Sequence, residues 1–156
     1  MSSNVQIDAW AKKKHVRGWL GVFASDELPE RVPATPWSLV VNYQDHFHPG
    51  DHWCSAWGSN GRAYWFSSYG LAPDGADPLL GDVTHFRRWL SRIAQRGWDY
   101  NKVQVQNYVP GSDACGQFSL WACHTRSGPK ENPAAWSWAS RNYWRNDRLV
   151  KELVRL

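Results

Sequence analysis

The chain has 156 residues, 42% hydrophobic and 21% charged, with a net charge of +4. That length and balance suit one folded domain, residues 1–156, with a core that needs no staples, and they exclude a disordered chain. No apolar run approaches the ~20 residues of a transmembrane helix, and Met1 to Gln6 lacks a signal-peptide core, so an intracellular protein without membrane association is expected.

In chain order, residues 5–16 read as a short basic helix ended by Gly18, and Trp19 to Ala24 as an apolar strand. Ser25 or Asp26 caps a turn or helix start, and Pro33 and Pro36 mark a loop. Trp37 to Tyr43 is an apolar, β-branched run and reads as a buried strand. Residues 44–51, with Pro49-Gly50, form a turn. Residues 52–58 and 62–67 flank Ser59-Asn60-Gly61, a strong hairpin signal. Residues 70–82 read as a loop. Thr84 to Arg96 carries Phe86, Trp89, Leu90 and Ile93 on one face and arginines opposite, a helix stopped by Gly97. Lys102 to Tyr108 alternates and reads as a strand. Ser112 or Asp113 caps a helix from Cys115 to Thr125. Pro129 and Pro133 interrupt the chain, and a final helix covers 140–155. Helices segregated from a hairpin-based sheet give an α+β class: a mixed, mostly antiparallel sheet packed with helices.

Twelve tryptophans are present, and most should be core with the indole N–H bonded to one partner. The three cysteines, Cys54, Cys115 and Cys123, are an odd count without the density of a disulfide framework, so free thiols are expected. Cys123, two turns into its helix, and Cys54, in a strand, read as small buried hydrophobes. Cys115 differs. It opens a helix, in Gly111-Ser-Asp-Ala-Cys-Gly-Gln117, where unpaired N–H groups and positive potential stabilise a thiolate. The alternative for Cys115 is a third buried cysteine, and position alone leaves the two readings even. Gly116 lets another chain approach closely and is, with Trp53, a candidate substrate-binding residue.

A thiolate nucleophile needs a base, usually His. Of six histidines, His52 lies at a strand start, His46 and His48 lie in the preceding loop, and His15, His85 and His124 lie on predicted helices as surface or packing residues. The set His46, His48, His52 and Cys54 fits no standard zinc spacing, so no metal site is expected. Basic clusters at Lys12–Arg17, Arg87–Arg96 and Arg141–Arg155 read first as solvated helix faces, and would tolerate sequence-independent contact with DNA.

Three segments together carry a resemblance: Pro49-Gly-Asp-His-Trp53, then Tyr64-Trp-Phe-Ser-Ser-Tyr-Gly70, then Gln106 with Ser112-Asp-Ala-Cys-Gly-Gln-Phe118. Gly21 to Pro29 and Val41-Asn42 add to it. The chain from about 18 to 126 resembles the adenovirus-type, or adenain-like, cysteine proteases, which are related to the SUMO-deconjugating proteases. The resemblance implies Cys115 as nucleophile and His52 as the general base that later protonates the leaving amine. It implies Gln106 as an oxyanion-hole donor beside the Cys115 N–H, and Trp53 beside the His and the substrate channel. The family usually has an acidic residue or Asn where this chain has Ser67. A hydroxyl can accept from the imidazole N–H but supplies no charge, and Asp45, Asp51 and Asp74 are substitute candidates. The gap from Gln106 to Cys115 is longer than the family's, and Gln104, on the same side of an alternating strand, is an alternative donor.

By the same resemblance, the expected activity is cleavage of capsid or core precursor polypeptides by a virus or virus-like element, with small residues, often Gly, flanking the scissile bond. A monomer without cofactor is expected, in the host nucleus or virion, and some relatives are activated by a short peptide and by DNA. Two rivals stand beside this reading. One is a deconjugating protease for a ubiquitin-like modifier. The other is a non-catalytic capsid- or nucleic-acid-associated relative of the fold, which Ser67 favours and the joint presence of His52, Gln106 and Cys115 opposes.

Overall fold

The computed structural model describes residues 2–43, 52–73, 84–108 and 112–156. Its elements run α1 (Asn4–Lys13), β1 (Trp19–Phe23), β2 (Trp37–Asn42), β3 (Trp53–Ser59), β4 (Arg62–Phe66), α2 (Thr84–Ile93), β5 (Gly97–Tyr100), α3 (Cys115–Thr125) and α4 (Tyr143–Leu153). The class is α+β. The five strands form one mixed sheet in sequential order. β2–β3 and β3–β4 are antiparallel, and the outer pairs β1–β2 and β4–β5 are parallel.

Strand alternation divides the core in two. Val40, Trp53, Trp57 and Phe66 point to the face covered by α1, α3 and α4, together with Ile7, Trp10, Phe118, Leu120 and Val150. Leu39, Val41, Cys54, Ala56, Ala63 and Trp65 point to the other face, where Phe86, Trp89 and Leu90 of α2 cover them. The period of two in the strands thus sorts residues between two helical layers. β2 is buried along its whole length, which is why it reads as a continuous apolar run.

Local chemistry explains the element ends. Ser3 and Gln6 form a reciprocal capping box at the start of α1. The helix stops at Lys13, short of residue 16, because His15 takes a left-handed φ of 53°. The β3–β4 hairpin turns at Asn60 and Gly61, φ 51° and 77°, as the Asn-Gly pair requires. α3 ends on Arg126, also left-handed. The Arg126 guanidinium donates to the carbonyls of Trp37 and Gly58 and to the Ser38 hydroxyl, tying the helix to β2 and β3. Most tryptophans are core, and three of the buried indole N–H groups donate to carbonyls, Trp53 to Ser2, Trp89 to Pro29 and Trp136 to Ser127, while the Trp65 indole N–H is buried without a partner among the described residues.

Two expectations fail. Lys102 to Tyr108 is not a strand; the fifth strand is Gly97–Tyr100, and Gly97 opens it rather than only ending α2. Despite the alternating sequence, burial along 102–108 does not alternate, and the backbone bonds to Ser68, Asn146 and Asp147 instead of to a neighbouring strand. The N-cap of α3 is Ala114, which makes no side-chain cap bond, so neither Ser112 nor Asp113 caps it. The turn expected at 44–51 and most of the loop expected at 70–82 lie outside the described residues.

Candidate active site

Cys115 is the first residue of α3 and is only 2% exposed. Its Sγ accepts the backbone N–H of Trp53 at 3.5 Å. Burial pushes the thiol up to about 11, opposed by the N–H groups of Trp53, Gly116 and Cys115 itself. The other thiols are held higher. Cys123, which donates to the Leu39 carbonyl at 3.4 Å, is pushed up to about 12 by full burial. Cys54 is pushed further still by the same cause. Cys115 therefore has the thiolate best supported by backbone dipoles.

His52 immediately precedes β3 and is fully buried. Its Nε2 lies 3.3 Å from Ser67 Oγ, one residue past the end of β4. The imidazole stacks on Tyr69, centroids 4.4 Å apart at 11°, and meets the edge of Tyr43 at 5.1 Å. The β2–β3–β4 pairing sets this geometry, since the hairpin returns Ser67 beside the start of β3. Ser67 is itself locked by Asn101. Asn101 Oδ1 accepts the Ser67 N–H at 3.0 Å, and Asn101 Nδ2 donates to the Ser67 carbonyl at 2.9 Å. With Ser67 Oγ accepting from Nε2–H, Nδ1 becomes the basic edge of the ring, the tautomer a proton acceptor needs.

Gln106 is fully buried. Val105 and Gln106 both donate backbone N–H to the Ser68 carbonyl. On the other side, Asn146 Nδ2 donates to the Val105 carbonyl at 2.9 Å, and Asp147 Oδ1 accepts the Asn107 N–H at 3.4 Å. The Gln106 carboxamide accepts from the Ser68 hydroxyl and donates from Nε2 to Ser112 Oγ at 2.8 Å. Gln104 uses its own carboxamide to donate to the Gln106 carbonyl at 2.9 Å. It braces the backbone of Gln106, so the alternating-strand argument that made the two interchangeable does not apply.

Trp53 is 7% exposed, and its indole N–H donates to the Ser2 carbonyl at 3.1 Å. Gly116 faces the same amino-terminal segment. A Cβ there would lie 3.3 Å from Ile7 Cδ1 and Ser2 Cβ, so the close approach that Gly116 permits is to the chain's own start. Asp45, Asp51 and Asp74, with His46 and His48, lie outside the described residues. Among the described residues, no group of three His, Cys, Asp or Glu side chains could hold a metal ion. His85 packs on Phe86, and His124 on Trp10 and Trp121.

Sequence reasoning missed four residues of this site: Asn101, Ser68, Ser112 as a bridging hydroxyl, and Asp147. Each acts across at least 34 residues or through a partner with no local signature. Asp147 lies on α4, beyond the stretch that carries the resemblance.

No protein-family model and no curated protein matches the sequence. Solved structures do. The chain is similar to the crystallised ASFV pS273R protease, with a TM-score of 0.57 at 15% identity, over 99% of this chain and 67% of that one. Against the selenomethionine form of the same protease the TM-score is 0.55 at 17% identity, over 100% and 68% of the two chains. At that identity the likeness is one of fold. No helix among the described residues is long and apolar enough to cross a membrane.

Proposed function

We propose that the protein is a cysteine endopeptidase of viral or virus-like type, with Cys115 as nucleophile and His52 as its base. The observation that carries this reading is the convergence on Cys115: a thiol at the start of α3, bonded to the N–H of the residue that follows a buried histidine. The fold shared with a viral protease supports it.

In this reading His52 Nδ1 takes the thiol proton as Sγ attacks the scissile carbonyl, and returns it to the leaving amine. The Cys115 N–H and Gln106 Nε2 hold the oxyanion. Ser67 holds the imidazole by a neutral hydrogen bond, and the imidazolium receives no carboxylate charge from that position. The stacked Tyr69 ring fixes its plane instead. The substrates are polypeptides, with capsid or core precursors as the natural class. A ubiquitin-like modifier is the rival substrate, DNA is a candidate partner for the basic surface, and an activating peptide is a further candidate partner.

The experiment is hydrolysis of a fluorogenic peptide ending in Gly-Gly-aminomethylcoumarin by the whole chain. Release of coumarin that disappears in Cys115→Ala supports the reading. Release that survives that substitution, or none from any Gly-containing peptide or polypeptide tried, overturns it in favour of a binding protein on the protease fold.

A further inference from the structure

Outside the thiol and the imidazole, three buried polar side chains, Ser68, Gln106 and Asp147, are joined into one line by the half-buried Ser112. Ser112 Oγ lies 2.7 Å from Asp147 Oδ2 and 2.8 Å from Gln106 Nε2. The far end of the Gln106 carboxamide accepts from Ser68 Oγ. Asp147 comes from α4 and is 7% exposed. The proposed chemistry assigns no role to Ser68, Ser112 or Asp147.

Burial raises the Asp147 carboxyl pKa, opposed by the Ser112 hydroxyl and the Asn107 N–H; with Asp147 ionised, the donor and acceptor inventory fixes the direction of every bond in this line. A carboxylate only accepts, so Ser112 must give its one hydrogen to Asp147. Ser112 Oγ can then only accept from Gln106, which selects Nε2 rather than Oε1 at that end. Oε1 is left to accept the Ser68 hydroxyl. In the flipped amide, Oε1 would face an oxygen whose hydrogen is already committed, a part-buried pairing of two acceptors. A buried carboxamide otherwise has two nearly isosteric orientations, and only one presents N–H groups towards the α3 side.

We propose that Asp147, acting through Ser112, is a positioning residue that sets the orientation of the Gln106 carboxamide and so keeps an N–H of Nε2 available to the oxyanion. The proposal rests on the cysteine-protease reading for its catalytic consequence, while the orientation itself does not. It makes α4 part of the active-site support. Asn146 and Asp147 hold the backbone and the side chain of the 105–107 segment together.

The test compares Ser112→Ala, Ser112→Thr and Asp147→Ala in the whole chain, using the Gly-Gly-aminomethylcoumarin peptide. Ser112→Ala and Asp147→Ala are expected to lower kcat by about 10- to 100-fold, less than the ~10²–10³ expected for loss of an oxyanion donor itself. KM and the rate of Cys115 alkylation by iodoacetamide should stay unchanged, because alkylation develops no oxyanion. Ser112→Thr keeps the hydroxyl and should restore kcat. In a Gln106→Ala background, Asp147→Ala should cost nothing further. Full kcat in both alanine variants, or an undiminished Asp147→Ala loss on top of Gln106→Ala, overturns the proposal while leaving the protease reading standing. If hydrolysis does not depend on Cys115, that reading fails, and the side-chain NH₂ signals of Gln106 in a ¹⁵N spectrum decide the orientation alone. One ordered, slowly exchanging pair that Ser112→Ala and Asp147→Ala both disturb supports the proposal; a pair that neither variant alters overturns it.

Discussion

The backbone N–H of Trp53 donates to Cys115 Sγ at 3.5 Å, across 62 residues of sequence. This bond fastens the start of α3 to the start of β3, and it places the thiol beside the segment that carries His52. It also distinguishes Cys115 from Cys123, whose thiol donates to the Leu39 carbonyl instead. The proposed chemistry depends on that junction, and the consequences are measurable.

The thiol should depend on its base in a pH-resolved way. Burial pushes the Cys115 thiol up to about 11, so below that pH a thiol with no base to take its proton is protonated and its thiolate fraction falls tenfold per unit. In His52→Ala, alkylation of Cys115 should therefore keep rising with pH through 9 and 10. The wild-type profile should plateau far lower, as the pair titrates together. A His52→Ala profile that is flat by pH 8 would show that the thiolate needs no histidine.

Ser67 should matter modestly, and its replacement by an acid should matter in the opposite sense. Removing the hydroxyl in Ser67→Ala takes one neutral hydrogen bond from His52, about 0.5–1.5 kcal/mol, or roughly a 2- to 12-fold loss in kcat/KM. Ser67→Asp would place a carboxylate on Nε2 and raise the imidazole pKa, since an adjacent anion favours the charged ring. The acidic limb of the kcat/KM profile should move to higher pH. No movement would mean that Ser67 does not face the ring in solution.

Asn101 should be a stability residue first. Its side chain accepts the Ser67 N–H and donates to the carbonyls of Ser67 and Val103. Asn101→Ala leaves buried backbone groups unpaired, at about 1–3 kcal/mol for each group left unsatisfied. Urea denaturation should show a midpoint lowered by that order, with an unchanged slope. A midpoint within error of wild type would contradict the account of how Ser67 is held.

Gly70 tests the packing of the Gln106 segment. It sits at φ 73°, and a Cβ there would come within 2.9 Å of the backbone at Val103 and Gln104. Gly70→Ala combines a strained φ with a backbone clash and should cost about 1–3 kcal/mol from the strain alone. Peptide hydrolysis should fall more than thiol alkylation, because the displaced segment carries Gln106 and not Cys115. Equal loss of both would place the effect in the whole fold.

These residues also show how far the sequence reaches. Local signals were sound where one short segment decides the structure. Asn60-Gly61 makes the turn it should, Trp37 to Asn42 is a buried strand, and Thr84 to Ile93 is a helix with its apolar face on the sheet. The same rules misread residues 102–108. That segment alternates in sequence, but the neighbours Val105 and Gln106 are both buried, and its partners are Ser68, Asn146 and Asp147 rather than a neighbouring strand. Ser112 has the composition of a helix cap, yet its hydroxyl is taken by Asp147. In each case a long-range side-chain bond outweighs the local preference, and no period in the sequence encodes it. The start of α3 at Cys115 was legible for the opposite reason: that helix boundary is decided by local sequence.

The most direct test of Cys115 and His52 as a catalytic pair is the site-resolved rate of labelling by a thiol-directed probe at pH 7, followed by mass spectrometry in wild type and His52→Ala. The account predicts that Cys115 is labelled well before Cys54 and Cys123, and that His52→Ala slows that labelling by about 10²–10⁴-fold. Equal labelling of the three cysteines, or labelling of Cys115 at full rate without His52, would contradict it.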